Sequence, residues 1–458
     1  MNRRTFFSLA GAVAASPALA LGTDMQKQLK IVGLETDVLR FPPGQIFYDA
    51  IHEFGAASGA VVLRLQTNAG ITGWASTPFG TMEGGPLVLQ SILQNEVKQV
   101  LVGQDPAFPK RLRSDLWKAL EYSGVQGVAQ LAISSAEVAI WDILGKCAQV
   151  PVYKMLGAFA DKIPTYSMCG WYYPNDNDLS QFKKKLNDAF EEGFTAAKIK
   201  VGRFSLDDDV KRIKVAMEIA GRDRPIMVDA NQKFDVSEAI HRGKIYQEMG
   251  CYWFEEPIVP YDHAGYAQVA EALDMRIATG ENEYTKYAFA DLIARRGVDV
   301  VQPDGRRAGG VAEWMEIGAI ADAAKLPLAS HGGGPEDMQM LLAMPNAIYM
   351  EAGSFKNHSS TIETLRMVDS AVLAPQNPGM GANCVRNMSR SARCSQAGSL
   401  IAVPTADRAA EKVGFVSGHD FSRAVNCWRI RLALAPELPE VRLCCPVPHF
   451  SAACSDVP

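Results

Sequence analysis

Short apolar runs recur through the second half of the chain, and most end in a charged or polar side chain. In order, the runs are AAKIK, PIMVDAN, YWFEEP, RIATGE, VDVVQPD, PLASH and AIYME. Most of them are separated by an amphipathic stretch long enough for a helix. This alternation is typical of consecutive βα units with a parallel sheet. We therefore expect a (β/α) barrel, whose active site lies at the carboxyl ends of its strands.

The residues ahead of these units follow a different pattern. Between residues 30 and 76, the segments KIVGLETDVLRF, AVVLRLQTNAG and ITGWAS predict strands, with a turn at Asn68-Ala69-Gly70. Helical stretches follow over residues 86–102, 110–120 and 128–149. We expect an α+β domain over residues 30–158 that precedes the barrel and caps it.

The composition is that of an ordinary globular protein. The chain has 458 residues, of which 48% are hydrophobic and 21% are charged, enough for a large core and more than one domain. A net charge of -5 and an isoelectric point near 5.9 give no basic surface for nucleic acid. The expected partners are small molecules and other copies of the chain.

Residues 1–20 have the features of an export signal. Arg3 and Arg4 precede a mildly apolar run, and Pro17-Ala18-Leu19-Ala20 has the small-x-small form of a cleavage site. Arg3 and Arg4 before Thr5-Phe6-Phe7 predict a twin-arginine-like signal, although Asn2 stands where Ser or Thr is usual, and a general secretory signal that begins with two arginines is the alternative. Because the apolar run is far shorter than the ~20 residues that a bilayer requires, we expect no membrane span. The predicted location is the periplasm.

The end of the chain differs from the rest. From residue 382 to 458 the βα periodicity is lost and Arg, Ser and Pro accumulate, together with Cys384, Cys394, Cys427, Cys444, Cys445 and Cys454. This distribution is not that of a disulfide scaffold. One hypothesis is that this tail is out of frame relative to an ancestral coding sequence, and the alternative is an unusual C-terminal extension. Sequencing of the gene would distinguish them.

Three carboxylates end successive apolar runs: Asp229, Glu255 and Glu281. In one mouth of a barrel they would repel each other strongly unless a cation lay between them. An all-oxygen ligand set without Cys or His favours Mg²⁺ over Zn²⁺. The alternative is that they are solvated strand ends paired with Lys or Arg. We expect a Mg²⁺ site, with Asn231 and Glu256 beside it.

Two lysines and an Asp-His pair could supply acid and base groups. Lys198 and Lys200 alternate with Ile199, so both point into the barrel, where each ammonium is expected to depress the pKa of the other. The alternative is that both reach solvent. Asp304 and His331 follow later runs, and an Asp bound to a His fixes its tautomer and raises its basicity. A purely structural histidine is the alternative, but the glycines after His331 would let a ligand approach closely.

The string VAQLAISSAEVAIWDILGKCAQVPVYKMLGA, residues 128–158, resembles the end of the capping domain in the enolase superfamily. The ordered series resembles the mandelate racemase subgroup of the mandelate racemase/muconate lactonizing enzyme family: Lys198, Lys200, Asp229, Glu255, Glu281, Asp304, His331 and Glu351. The similarity runs from about residue 30 to residue 381. It implies a (β/α)7β-type TIM barrel over residues 159–381 with an N-terminal α+β capping domain, and a homo-oligomer.

The resemblance also implies roles for the residues. Lys200 would be the base on one face of the substrate, and Lys198 would hold the substrate carboxylate. His331, with Asp304, would be the acid or base on the other face. Glu351 would lie near the carboxylate and, if protonated, could donate a hydrogen bond to the enediolate oxygen. In this family a segment after residue 381 returns to the capping domain, and here the tail replaces it.

These groups together predict Mg²⁺-dependent removal of the proton α to a carboxylate. We favour dehydration of an acid sugar to a 2-keto-3-deoxy acid, because polar loops at residues 170–174 and 331–336 suit a hydroxylated substrate. Racemisation or epimerisation of a 2-hydroxy acid is the alternative, and an inactive relative or periplasmic binding protein is a third. Loops around residues 47–54 and 77–84 are expected to set specificity.

Overall fold

The structure is a computed structural model, and it describes residues 29–56, 58–79, 84–124, 126–353 and 366–381. The predicted export signal at residues 1–20 and the atypical tail at residues 382–458 lie outside the described residues.

The first part of the chain is built on an antiparallel sheet. Its strands are β1 (Ile31–Phe41), β2 (Phe47–Tyr48), β3 (Glu53–Phe54), β4 (Ser58–Thr67) and β5 (Thr72–Phe79). The sheet has the order β1-β4-β5, and β2 pairs with β3 in a separate hairpin. The predicted turn joins β4 to β5: Gly70 has a φ of 76° and its N–H donates to the carbonyl of Thr67 at 3.0 Å.

Helices cover this sheet and complete the capping domain. They are α1 (Gly85–Ile92), which continues through a π-helical turn (Leu93–Val97) into α2 (Lys98–Leu101), then α3 (Pro109–Leu120), α4 (Val128–Ala148) and α5 (Val152–Met155). Among the described residues, α4 alone is long and apolar enough to cross a bilayer. However, 78% of its apolar window is buried inside the protein, as in the core helix of a globular domain.

Eight parallel strands close the barrel, in the order β6 (Lys162–Gly170), β7 (Ala197–Lys200), β8 (Ile226–Asp229), β9 (Trp253–Glu255), β10 (Arg276–Thr279), β11 (Val300–Val301), β12 (Leu328–Ala329) and β13 (Ala347–Ala352). Each strand pairs with the next, and β13 pairs with β6. Strands such as β7 and β8 are buried on both faces, which explains their continuous apolar runs.

One helix lies between each pair of consecutive barrel strands. These helices are α6 (Ser180–Glu192), α7 (Leu206–Ala220), α8 (Val236–Glu248), α9 (His263–Ala272), α10 (Thr285–Ala294), α11 (Val311–Ala323) and α12 (Pro335–Leu341). Three of them begin after an N-capping side chain, namely Ser205, Asp235 and Asp262, whose oxygens accept backbone N–H groups. The (β/α)7β fold with an N-terminal capping domain is therefore confirmed.

The sequence pattern missed two parts of the barrel. Strand β6 begins the barrel, but its segment KIPTYSMCG lacks a clear apolar run. The short hairpin of β14 (Met367–Val368) and β15 (Ala371–Leu373) was also missed, and β15 pairs antiparallel with β6. Both depend on pairing with distant strands rather than on their own periodicity.

The chain returns to the capping domain before the described residues end. Gly379 accepts the N–H of Val152 at 2.9 Å and donates to the carbonyl of Val150 at 3.0 Å. The next residue, Met380, donates its N–H to Asp142 of α4 at 2.8 Å. The stretch up to residue 381 therefore makes a direct contact between the end of the barrel and the capping domain.

Candidate active site

Three carboxylates meet where neighbouring strands end. Asp229 ends β8, Glu255 ends β9, and Glu281 lies just after β10. Their nearest ligand oxygens all lie within 4.8 Å of one another. The three residues are 0%, 1% and 8% exposed, so the alternative that they are solvated strand ends is wrong. In-register pairing of Asp229 with Glu255 accounts for their proximity.

The electrostatics of this carboxylate triad favour a cation. Burial raises the pKa of Glu255 to about 8, although the Lys198 ammonium opposes this. Burial also raises the pKa of Asp229, but Lys200 and Lys198 outweigh it and hold that pKa below its usual value. Nearby, the side-chain oxygen of Asn231 is buried without a hydrogen-bond partner in the described structure. An all-oxygen donor set of this kind fits Mg²⁺.

The two lysines of β7 contact the triad. Lys200 Nζ lies 2.5 Å from Asp229 Oδ2. Lys198 Nζ contacts Glu255 Oε1, and it lies 2.9 Å from Glu351 Oε1 and 3.4 Å from Asp229 Oδ2. Both lysines are buried, so the interpretation that they reach solvent is wrong.

The expected net depression of the two lysine pKa values is also wrong, because the surrounding carboxylates raise both values. Burial lowers the pKa of Lys200, and Lys198 lowers it further, but Asp229 raises it by more, so the pKa lies above its usual value. Burial likewise lowers the pKa of Lys198, whereas Glu255 and Glu351 raise it well above the usual value. Carboxylate contacts therefore outweigh the repulsion between the ammonium groups.

His331 and Asp304 form a hydrogen-bonded pair after β12 and β11. His331 Nδ1 lies 2.8 Å from Asp304 Oδ2, and Nε2 lies 3.5 Å from Glu281 Oε1. Burial lowers the pKa of His331, but Glu281 and Asp304 raise it above the usual value. Burial raises the pKa of Asp304, yet Arg306 and His331 hold it well below its usual value. Asp304 is thus an anion that orients the imidazole.

The surroundings of Glu351 bear on whether it could donate a hydrogen bond. It lies on β13, where Oε2 accepts the N–H of Gly332 at 2.7 Å and Oε1 contacts Lys198. Burial raises its pKa, but Lys198 and His331 lower it below the usual value. These surroundings favour the carboxylate form of Glu351, which accepts hydrogen bonds, over the protonated form that could donate one.

A cavity of about 570 Å³ opens above these groups, and the capping domain supplies part of its wall. His52, from the β2–β3 hairpin, lines it with Nδ1 held 2.9 Å from Asp49 Oδ2. The hydrogen bond to Asp49 raises the pKa of His52 against the lowering effect of burial, and Glu281 raises it further. The hairpin falls within the expected specificity loop at residues 47–54, but the sequence did not single out His52.

Two arginines in the cavity were also missed, and Trp171 lies in the expected substrate loop at residues 170–174 without having been named as a site residue. Arg306 Nη2 lies 2.8 Å from Asp304 Oδ2, and Arg307 Nη1 donates to the carbonyl of Glu281 at 3.0 Å. The Trp171 ring centroid lies 4.7 Å from Lys200 Nζ. The position of the two arginines directly after Asp304 was the available signal for them. The structure thus brings all eight predicted site residues to one mouth of the barrel, and their catalytic roles stay predictions.

Two family models match the chain over most of the described residues. The mandelate racemase/muconate lactonizing enzyme N-terminal domain matches residues 29–157, and the enolase C-terminal domain-like model matches residues 181–387. The first coincides with the capping domain, and the second with all of the barrel after β6.

Curated relatives and solved structures agree with these matches. A 3,6-anhydro-alpha-L-galactonate cycloisomerase of Streptomyces coelicolor is 30% identical over 76% of this chain and 95% of its own length. An arabinonate dehydratase of Saccharolobus solfataricus is 31% identical over 70% of this chain and 87% of its own length. The crystal structure of an L-talarate dehydratase from Polaromonas sp. JS666, complexed with Mg and L-glucarate, is 26% identical with a TM-score of 0.72, over 79% of this chain and 96% of that one.

Fold, site geometry and relatives together define an enzyme of the enolase superfamily with an acidic metal triad. Within it, the chain belongs to the mandelate racemase/muconate lactonizing enzyme family. The family and enzyme class predicted from the sequence are confirmed.

Proposed function

We propose that this protein removes the α-proton of an acid sugar in a Mg²⁺-dependent reaction and then expels a β-hydroxyl, giving a 2-keto-3-deoxy acid. The observation that carries the proposal is the joint placement of Lys200 and the Asp304-bound His331 in the cavity beside the carboxylate triad. Lys200 ends β7 and His331 follows β12, and these strands are not neighbours in the barrel. The Mg- and glucarate-bound neighbour and the dehydratase relatives support the same chemistry.

Asp229, Glu255 and Glu281 would hold the Mg²⁺ ion. When bound, it would draw charge onto the carboxylate oxygens of the substrate and so make the α-proton more acidic. The substrate carboxylate would lie near Lys198, whose ammonium is buried and whose raised pKa keeps it charged. Lys198 would therefore stabilise the negative charge that develops on the carboxylate.

Proton transfer would be divided between Lys200 and His331. Lys200 Nζ would accept the α-proton, for which it must be a neutral amine. The Asp229 carboxylate is the main group that raises the Lys200 pKa. If Asp229 holds the Mg²⁺ ion, its charge is partly neutralised, which favours the neutral amine of Lys200. His331, with its raised pKa and Nδ1 fixed on Asp304, would donate the Nε2 proton to the departing hydroxyl, which leaves as water.

Epimerisation is a second candidate, supported by the same pair of residues. If no hydroxyl leaves, the protonated His331 could return a proton to the α-carbon from the other face. A binding protein fits less well, because burying two lysines, an Asp-His pair and three carboxylates in one cavity costs free energy that simple binding does not require.

The test begins with a screen of acid sugars for 2-keto acid formation with Mg²⁺ present, followed by α-proton exchange in deuterated water measured by NMR. For a dehydratase, Lys200→Ala should abolish exchange, whereas His331→Asn should retain exchange and lose product. For an epimerase, each variant should still exchange the epimer that faces its surviving base. His241→Asn, an exposed histidine on α8, is the matched control and should behave as wild type. Exchange that persists in the double variant would remove both residues from the mechanism.

A further inference from the structure

A buried polar cluster joins the capping domain to the barrel beside the active site. Glu137 on α4 is fully buried, and its carboxylate accepts the N–H of Ala312, in the first turn of α11, at 3.2 Å. Arg113 on α3 lies 3.1 Å from Glu313 Oε2 and donates from Nε to the carbonyl of Gly309 at 3.1 Å. The capping domain therefore holds the start of a barrel helix through backbone hydrogen bonds and one ion pair.

The barrel loop is shaped to admit this carboxylate. Helix α11 begins after Gly310, which has a φ of 86° and offers no capping side chain. A Cβ at Gly310 would lie 2.1 Å from Glu137 Oε2, and a Cβ at Gly309 would lie 2.5 Å from Gln130 Nε2. Glu137 thus supplies from another domain the acceptor that an N-capping residue normally provides.

The same loop carries Asp304 and the two arginines of the cavity. The Ala308 N–H donates to the carbonyl of Asp304 at 2.8 Å, and the Gly310 N–H donates to the carbonyl of Gly305 at 3.2 Å. From the first turn of α11, Trp314 Nε1 donates to the carbonyl of Pro303 at 3.3 Å. A displacement of the α11 terminus would therefore move Asp304 and its hydrogen bond to His331.

A second branch of the cluster reaches the loop that holds Glu281. Glu313 Oε1 accepts the N–H of Lys286, at the start of α10, at 2.9 Å. Helix α10 directly follows Glu281 and Tyr284, which line the cavity. Glu313, which Arg113 of the capping domain contacts, thus also links the first turn of α11 to the first turn of α10.

We propose that Glu137 is a positioning residue, which anchors the loop from Asp304 to Gly310 and thereby holds the Asp304–His331 pair in its working geometry. The inference rests on the proposed function, because it assigns Glu137 to the acid step of that reaction. Glu137 does not line the cavity and touches no substrate position. Its removal should affect the step that depends on His331 more than the step that depends on Lys200.

The experiment compares Glu137→Ala with Asp142→Ala, a control on the same helix. Asp142 is also buried and also accepts backbone N–H groups, from Trp74 at 2.9 Å and Met380 at 2.8 Å, but away from the cavity. Glu137→Ala should lower kcat for product formation by about 10- to 100-fold, the usual effect of losing an orienting contact, while α-proton exchange stays within about threefold of wild type. Asp142→Ala should leave the ratio of product formation to exchange unchanged.

A second readout does not depend on turnover. Amide hydrogen exchange over residues 305–314 should accelerate in Glu137→Ala and not in Asp142→Ala. Glu137→Gln keeps an acceptor for Ala312 and should restore both readouts, and Glu137→Asp replaces the alanine variant if that variant does not fold. Unchanged protection at residues 305–314, or equal losses of exchange and product, would overturn the proposal. If the wild-type protein showed no α-proton exchange on any acid sugar, the proposed function would be refuted instead. Amide hydrogen exchange over residues 305–314 would still test whether Glu137 anchors the loop.

Discussion

Replacing Glu255 by Gln tests the metal site directly. The substitution preserves shape but removes one of three anionic ligands. Unit charges 4 Å apart attract by about 4 kcal/mol at an effective dielectric constant near 20, and a divalent ion doubles this. The amide oxygen and solvent recover part of the loss. We expect Mg²⁺ affinity to fall by about 3 to 4 kcal/mol, or roughly 100- to 1000-fold, with turnover abolished.

The fold should survive this change. Lys198 keeps its contacts with Glu351 at 2.9 Å and Asp229 at 3.4 Å, and the Gln302 and Trp253 side chains can still donate to the remaining oxygen. We expect a loss of about 1 to 3 kcal/mol in unfolding free energy, the range for a weakened buried polar contact. Thermal unfolding without Mg²⁺ checks this.

Calorimetric titration with Mg²⁺ is the deciding assay. Glu283→Gln is a matched control, because Glu283 is also buried on the same loop as Glu281 but contacts His263 at 2.8 Å and lies outside the triad. The control should bind Mg²⁺ like wild type. An unchanged affinity in Glu255→Gln would remove Glu255 from the metal site and refute the reasoning.

Two further predictions concern the capping domain. His52→Gln should lower kcat/KM for the acid sugar about tenfold, measured by steady-state kinetics. Stability should change little, because the side chain is 45% exposed. An unchanged kcat/KM would exclude His52 from substrate binding. Burial raises the pKa of Glu137 to about 8 against Arg113, with Glu313 adding to the rise, so its ionisation costs stability as pH increases from about 4.5 to 8. The melting temperature of wild type relative to Glu137→Gln should fall over that range, and a constant difference would contradict the assignment.

The barrel strands and the metal triad were predictable because they depend on short-range pattern. Runs such as PIMVD and YWFEE are buried on both faces, so their apolar continuity shows in the sequence, and parallel strands place their carboxyl ends at one edge. Strand β6 was not predictable, because its segment KIPTYSMCG is paired on both sides by distant strands and needs no strong propensity of its own.

The charge states of the site depended on contacts that no pattern expresses. Two alternating lysines suggested mutual depression of their pKa values, whereas the distances to Asp229 and Glu351 reverse the result. Glu351 could donate a hydrogen bond only if protonated, and in the folded structure Lys198 lowers its pKa. Coulomb interactions vary with distances of a few ångströms between residues far apart in sequence, so only the folded structure decides them.

The sequence alone determined which residue types stand at the strand ends, and with them the barrel, the acidic triad and the class of chemistry. Tertiary structure alone decided that His52 enters the cavity and that Glu137 caps a barrel helix. Both residues come from the capping domain. The backbone N–H that Glu137 accepts belongs to Ala312, 175 positions away in the chain. Periodicity reports the face that an element buries, whereas the partner it meets there is set by how the domains pack.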